Sequence, residues 1–206
     1  TNSQNTIVLD SVFSSNRSGE GGGIALNYSI SNIFTNNYIT NNYSGGSGGG
    51  MSLNSSTNNN ITGIISSNYA KDQGGGLFIF LYSISNYFYG EISSNYCLGV
   101  GGGVSIMNYS MQNTIDSLVA NNSSSGSFGG GIEFRTLSSS NTISGSVLNN
   151  YTTSYGGGIY LSSSHDNIIS GIVQNNSNNS KGGGIYILNS SNIRISGLIS
   201  SNYAPN

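Results

Sequence analysis

Gly156-Gly157-Gly158-Ile159-Tyr160-Leu161 is the cleanest copy of a block that occurs seven times, starting at Gly21, Gly48, Gly74, Gly101, Gly129, Gly156 and Gly182. The starts lie 27, 26, 27, 28, 27 and 26 residues apart. A near-constant period in this range marks a repeat architecture, in which one supersecondary unit recurs and successive units stack. The 206 residues are therefore read as one continuous array over 1–206.

Working outward, a second block recurs at a fixed distance from the first. An apolar residue is followed four positions later by another, and three after that by Asn, as in Ile61–Ile65–Asn68, Phe88–Ile92–Asn95 and Ile115–Val119–Asn122. The same pattern ends at Asn16, Asn150, Asn176 and Asn202. In the second copy, Phe34–Tyr38–Asn41 and a register through Ile39 and Asn42 both fit. A small residue sits midway in most copies: Gly63, Gly90, Ser117, Gly145, Gly171 and Gly197. Apolar spacing of i, i+2, i+4 is strand period rather than helix period. The segment after the glycines alternates likewise, in Leu77/Ile79, Ile132/Phe134 and Ile159/Leu161. Length changes fall between the blocks and not within them, as expected if the blocks are strands, because an inserted residue flips every later side chain to the other face.

Each repeat thus offers at least two short strands with one apolar face, joined by polar turns. Asn, Ser and Gly, abundant throughout, are poor helix formers. Stacking equivalent strands in parallel about 4.8 Å apart gives an all-β parallel β-helix, a β-solenoid of seven to eight coils of 26–28 residues and roughly 35 Å long. The repeated Asn is expected to turn inward and form an amide ladder from coil to coil: Asn16, Asn68, Asn95, Asn122, Asn150, Asn176 and Asn202. The glycines are expected at a corner that needs positive φ or close backbone approach. The midway Gly and Ser are read as making room for large neighbours in a narrow interior.

Phe13-Ser14-Ser15-Asn16 followed by Gly21-Gly22-Gly23-Ile24 resembles the Phe-x-x-Asn and Gly-Gly-Ala-Ile repeats of the polymorphic outer-membrane proteins and related autotransporter passengers. The resemblance implies a right-handed helix, secreted or displayed at the cell surface and often adhesive. It covers nearly the whole chain, although the family's Ala is Gly here and its Phe is mostly Ile or Val.

Composition narrows the function. Charged residues make up 6 % of the chain and the net charge is −2, so there is no basic surface for nucleic acid. So little mutual repulsion suits a tethered or assembled protein. A polar composition of this kind can mean disorder, but regular apolar periodicity outweighs it. Cys97 is the single cysteine, which excludes an internal disulfide, and it reads as a small residue in a turn. No apolar run approaches the ~20 residues a membrane-spanning helix needs. The ends carry no capping element, so the array is expected to be a segment of a longer one.

Chemistry is sparse. Glycan cleavage needs two or three acids, or an acid with Arg or Lys, converging on one outer patch. Asp10, Glu20, Asp72, Glu91, Asp116, Glu133 and Asp166 scatter over the repeat, with Glu91 and Asp116 coming closest on adjacent coils. Glu133 and Arg135 read as an ion pair on a solvated surface. His165-Asp166 reads as a solvated turn; there is no zinc or calcium motif, and no phosphate loop, since no Lys-Ser/Thr follows the glycines. The outward column Thr35, Thr62, Tyr89, Asp116, Ser144, Ser170 and Ser196 is mixed and not a Thr array for ice. No catalytic residue, cofactor or metal is expected.

The contact surface is expected just after the glycines. Phe78, Phe80 and Tyr82 alternate outward with the inward residues of their strand, and Tyr160 and Tyr186 share one outward column. Asn27, Asn54, Asn108 and Asn189 lie in sequons beside the following turn and are the candidate glycan acceptors. The sequence-based expectation is a non-enzymatic structural β-solenoid of an extracellular fibre or surface adhesin. Its partners would be other copies of itself, further coils of its own chain, or glycans and host surfaces. The alternative is a carbohydrate-active β-helix enzyme.

Overall fold

The computed structural model describes residues 2–205, so Thr1 and Asn206, counted in the array by the sequence, lie outside the described residues. The described residues form no helix; they are an all-β parallel solenoid of three stacked sheets. The first sheet follows the glycine triplets and contains Ile24–Asn27, Met51–Asn54, Leu77–Phe80, Val104–Met107, Ile132–Arg135, Ile159–Ser162 and Ile185–Leu188. We call it the glycine sheet. The second, the long sheet, carries the apolar pairs that precede Asn, in strands such as Asn60–Ser66, Tyr87–Ser93 and Thr114–Ala120. The third, unforeseen from periodicity because its strands are two residues long, includes Tyr43–Ser44, Tyr69–Ala70, Tyr96–Cys97 and Tyr151–Thr152. We call it the short sheet.

Every rung pairs with the equivalent residues one coil on, as in Phe88↔Ile115 and Ile92↔Val119, Leu77↔Val104, and Tyr96↔Ser123. Inward side chains such as Leu77, Ile79, Phe88, Ile92, Ile132, Phe134, Ile143 and Val147 are buried and fill one continuous core. Burying each contributes on the order of 1.5–3 kcal/mol before chain entropy is subtracted.

Two amide ladders line the corners. The expected one runs through Asn42, Asn68, Asn95, Asn122, Asn150, Asn176 and Asn202, with Asn16 donating into it at the first coil. Each link is the same: the side chain of Asn95 donates to Asn122 Oδ1 at 3.0 Å and to the Ile65 carbonyl at 2.9 Å, and its backbone N–H donates to the same Oδ1 at 2.9 Å. Buried backbone groups at a corner have no strand partner, and this side chain satisfies them. The other ladder, at the corner before the long sheet, runs through Asn32, Asn59, Asn86, Asn113, Asn141 and Asn167. Three residues ahead of each stands a fully buried serine, from Ser29 through Ser83 to Ser164. This Ser-x-x-Asn repeat ends directly before the long-sheet strands that begin at Ile33, Asn60, Tyr87, Thr114, Thr142 and Ile168, and is absent before those at Ile7 and Arg194.

The second coil settles one open register and corrects another point. Ile39 is buried and Tyr38 exposed, and Asn42 joins the ladder, so the register runs through Ile39 and Asn42. The first coil has the same spacing, with Val8 inward and Leu9 exposed where the sequence suggests Leu9–Phe13–Asn16, so the blocks of the first two coils are one residue longer than those after them, against the expectation of constant length. In the second coil a bulge between Phe34 and Asn37 absorbs the extra residue, with Asn36 at φ 54°. Pairing resumes in register afterwards, which is what a bulge achieves.

The glycines behave as corner residues. Gly156 has φ 66°, and a Cβ on Gly157 would overlap the Gly183 and Ser177 carbonyls. The midway glycines of the long sheet serve a different end from the one expected. Gly63 and Gly90 have φ 134° and 126°, and a Cβ on Gly90 would collide with the Gly63 carbonyl. The small column is therefore a bend where backbones of successive coils approach closely, not a space for inward side chains.

Candidate interaction surface

Strand parity sends Phe78, Glu133 and Tyr160 outward on the glycine sheet, yet all three are buried, at 5 %, 0 % and 3 % exposure. The turn leading into each glycine triplet folds over this column as a lip. Its Gln73, Val100, Phe128, Tyr155 and Lys181 pair from coil to coil along the rod. Phe128 stacks on Tyr160 at 4.5 Å between centroids, Tyr155 on Tyr186 at 4.9 Å, and Tyr160 lies parallel to Tyr186 at 5.8 Å. Phe78 and Phe80 stack on one another at 4.5 Å. The expected contact surface is thus corrected: Phe78 and Tyr160 are packing residues, Phe80 and Tyr186 are half-buried, and Tyr82 alone of the five is exposed. Tyr82 stacks on Tyr109 at 5.2 Å in the turn that follows.

Glu133 and Arg135 form the expected ion pair, at 3.3 Å, but the solvated surface expected for it is corrected: Glu133 lies fully buried beneath the lip. Ser105 Oγ donates to its other oxygen at 3.0 Å, and the Arg135 guanidinium spans to the Phe128 ring at 5.5 Å. Burial pushes the Glu133 carboxyl up to about 7, with Arg135 and the Ser105 hydroxyl pulling the other way. Cys97, on the short sheet, is buried within the same lip, and burial pushes its thiol up to about 12. A thiol held protonated in this way is a packing residue and a poor nucleophile.

Exposed apolar residues remain in the turn after the glycine sheet, among them Tyr28, Tyr82, Tyr109 and Leu137, and a second exposed column lies on the long sheet. Its outward column Val12, Tyr38, Ile64, Glu91, Leu118, Ser146, Ile172 is paired rung to rung. Val12 is 67 % exposed, Tyr38 49 % and Leu118 38 %. Leu198 follows at the next coil, also exposed. Across the glycine bend stands the column Thr62, Tyr89, Asp116, in which Tyr89 is 57 % exposed. Between the two columns lies an open groove of about 640 Å³ floored by Gly63 and Gly90. The Tyr89 column is named from strand parity; the ridge opposite, at the position before the second buried residue, follows from the same parity and is absent from the sequence-based expectation.

The acids sort accordingly. Glu91 lines the groove and accepts from Ser93 Oγ; Asp116, one coil on and two positions back, accepts from Tyr87 Oη at 3.1 Å and Ser144 Oγ at 3.0 Å. The two stand in separate columns on adjacent coils and have separate partners. Asp10, Glu20, Asp72 and Asp166 lie outside the strands, and His165 and Asp166 face separate turn partners, Ser191 and Asn192. Of the four candidate glycan acceptors, Asn27, Asn54 and Asn108 have their sequon serines, Ser29, Ser56 and Ser110, fully buried at the second ladder. Only Asn189 has both its side chain and its sequon Ser191 exposed.

The short sheet adds a further aromatic file: Arg17 caps Tyr43 at 4.5 Å, Tyr43 stacks on Tyr69 at 5.0 Å, and Tyr69 meets Tyr96 at 5.7 Å. Such files follow from the repeat, because equivalent side chains recur at the rung spacing. No protein-family model matches the chain, and neither a curated protein nor a solved structure matches it.

Proposed function

We propose that this chain is a structural β-solenoid of an extracellular fibre or a cell-surface adhesin, a stiff rod that presents its long-sheet face to a partner. The observation that carries the reading is the outward column in which Val12, Tyr38, Ile64, Leu118, Ile172 and Leu198 recur along the rod, interrupted by Glu91 and Ser146. Exposed apolar side chains recurring along one face mark a contact site more often than scattered ones do. Continuous amide ladders at two corners leave few buried backbone groups free, which favours rigidity and resistance to local opening. The repeat's resemblance to autotransporter passengers supports the same placement outside the cell, and the sparse charge supports neither nucleic-acid binding nor repulsion between neighbours. Glycans on Asn189 would be compatible with it, and intact mass of native material would reveal them. Negative-stain microscopy of the native material tests the main reading. Filaments, or rods lying on a surface, are expected; freely dispersed particles would sink it.

One observation favours a second reading, a carbohydrate-active groove. Glu91 and Tyr89 line the glycine-floored groove, a carboxylate beside an aromatic ring in a concavity of ligand size, with Asp116 in the outward column one coil on. Incubation with a panel of neutral and uronate polysaccharides, followed by assays for reducing ends and unsaturated products, separates the readings. Release that disappears in Glu91→Gln would establish the enzyme.

A further inference from the structure

We infer that the long-sheet face is an interface between two copies of this chain, with the ridge of each rod seated along the glycine floor of the other. The inference deepens the structural-rod reading and rests on it. Its starting point is shape. The ridge column Val12, Tyr38, Ile64, Glu91, Leu118, Ser146, Ile172 and Leu198 stands beside the column Gly63, Gly90, Ser117, Gly145, Gly171 and Gly197, which opens as a groove at Gly63 and Gly90. A ridge of side chains and an adjoining trough without them are the two halves of one joint. Rotation about a two-fold axis running along the rods, between ridge and trough, brings each ridge over the partner's trough. The rods are then parallel and their coils level.

The repeat says why the occupant is a second copy. Any partner that engages more than one coil must match the rung spacing of about 4.8 Å along the axis. A second copy does so automatically, and every coil that fits makes the next one fit. The area suffices too. Seven rungs at about 4.8 Å and some seven residues at about 3.3 Å give a face of roughly 800 Å² per copy, the size of a standard stable interface. The ridge is largely aliphatic, which suits packing of sheet on sheet more than the faces of sugar rings. The charged side chains on this face, among the described residues, are Asp10, Glu91, Asp116 and Arg194. Asp116 already accepts two hydroxyl donors, so it enters an interface with its hydrogen bonds made. Glu91 is the misfit: level two-fold pairing brings it close to its own copy.

Sedimentation velocity and light scattering on the intact chain test the inference. At roughly 50 μM, well above the dissociation constants usual for interfaces of this size, the wild type is expected to be dimeric or larger. Leu118→Lys with Ile172→Lys should be monomeric with unchanged circular dichroism, whereas Tyr82→Lys, in a turn away from the face, should associate as the wild type does. Glu91→Gln removes the like-charge pair at the two-fold axis and should tighten association severalfold. If the lysine pair perturbs the fold, Leu118→Ser with Ile172→Ser makes the same test. A monomeric wild type, association unaffected by the ridge variants, or weaker association of Glu91→Gln would overturn the proposal. A monomeric wild type whose native material still forms surface-attached rods would refute the pairing and leave the structural-rod reading standing.

Discussion

The glycine sheet and the long sheet present the same alternation to a reader of the sequence, apolar in and mixed out, yet their outer faces meet opposite fates. Phe78, Glu133 and Tyr160 point outward from the glycine sheet and are covered by the turn that enters each triplet. Tyr38, Tyr89 and Leu118 point outward from the long sheet and stay open. Strand parity fixes which side of the sheet a residue takes. Whether that side meets water depends on a different segment, whose length and chirality parity does not encode. The short sheet and the first-glycine turn, with φ near 60° in every coil, throw the lip back across the glycine strand, while the long sheet has no such neighbour.

The difference breaks most completely at the glycines that hold the lip in place. Gly157→Ala would set a Cβ 2.5 Å from the Ser177 carbonyl oxygen as well as onto the Gly183 carbonyl, both of them backbone. Neither can withdraw without opening a rung, so the expected loss is about 4 kcal/mol or more, seen as a fall in melting temperature of roughly 10 °C or more. Gly19→Ala is the matched control: no heavy atom lies within 4 Å of its Cβ position, and no change in melting temperature is expected. A destabilised Gly19→Ala with an unaffected Gly157→Ala would refute the assignment of the triplet as a packed corner.

Next in size is the amide ladder that both sheets share. Asn122→Ala removes the acceptor of the Asn95 backbone N–H and of its side chain, and the donor to the Ile92 carbonyl. Leaving buried groups unpaired costs about 1–3 kcal/mol each, so a destabilisation of roughly 3 kcal/mol is expected by urea denaturation. A loss below about 1 kcal/mol would mean that water enters the corner and replaces the amide.

Glu133 gives the lip a pH signature that the open face lacks. Its carboxyl sits near 7 in the fold against 4.5 in the unfolded chain. Below pH 4.5 both states are protonated and burial carries no ionisation penalty. As pH rises from there to about 7, the unfolded chain ionises while the fold holds its proton, so stability declines; above 7 the decline levels off. At about 1.4 kcal/mol per pH unit the whole effect is on the order of 3 kcal/mol. Denaturation midpoints of wild type and Glu133→Gln, compared across this range, should diverge in that sense. Parallel pH profiles would show that the carboxyl reaches water.

These cases also mark what the sequence discloses. Solenoid, period, inward core and the ladder through Asn122 follow from spacing alone, because each is a one-dimensional pattern repeated at fixed offset. The ladder through Asn86 was equally periodic and was missed for a physical reason: its Ser-x-x-Asn lies in a polar turn, where Asn and Ser have local roles that need no ladder. The bulge at Asn36 left a single extra residue as its trace, ambiguous until the burial of Ile39 decided it. Burial of Phe78, Glu133 and Tyr160 was not legible, since the lip that covers them comes from turns whose path depends on positive-φ corners in three dimensions. For the same reason Phe78 and Tyr160 read as surface residues from parity although they are buried, and of the five expected contact residues Tyr82 alone is exposed.

The smallest effect is the one that separates the two faces most cleanly. Phe78 and Tyr89 are both outward aromatic residues on parallel strands, and sequence alone gives no reason to treat them differently. Phe78→Ser opens a cavity beneath the lip and strips Phe80 of its stacking partner at 4.5 Å, so about 2–3 kcal/mol of stability should be lost. Tyr89→Ser, at 57 % exposure, removes a ring that rests in water in the single rod and should change stability by no more than about 0.5 kcal/mol. Association should invert the ranking. Tyr89 borders the trough that receives a partner's ridge, so its loss weakens pairing, whereas Phe78 lies on the other sheet and its replacement leaves the pairing of the remaining folded molecules unchanged. A Tyr89→Ser protein destabilised as much as Phe78→Ser would mean that the long-sheet face is already covered within a single chain, and the contrast between the two sheets would collapse.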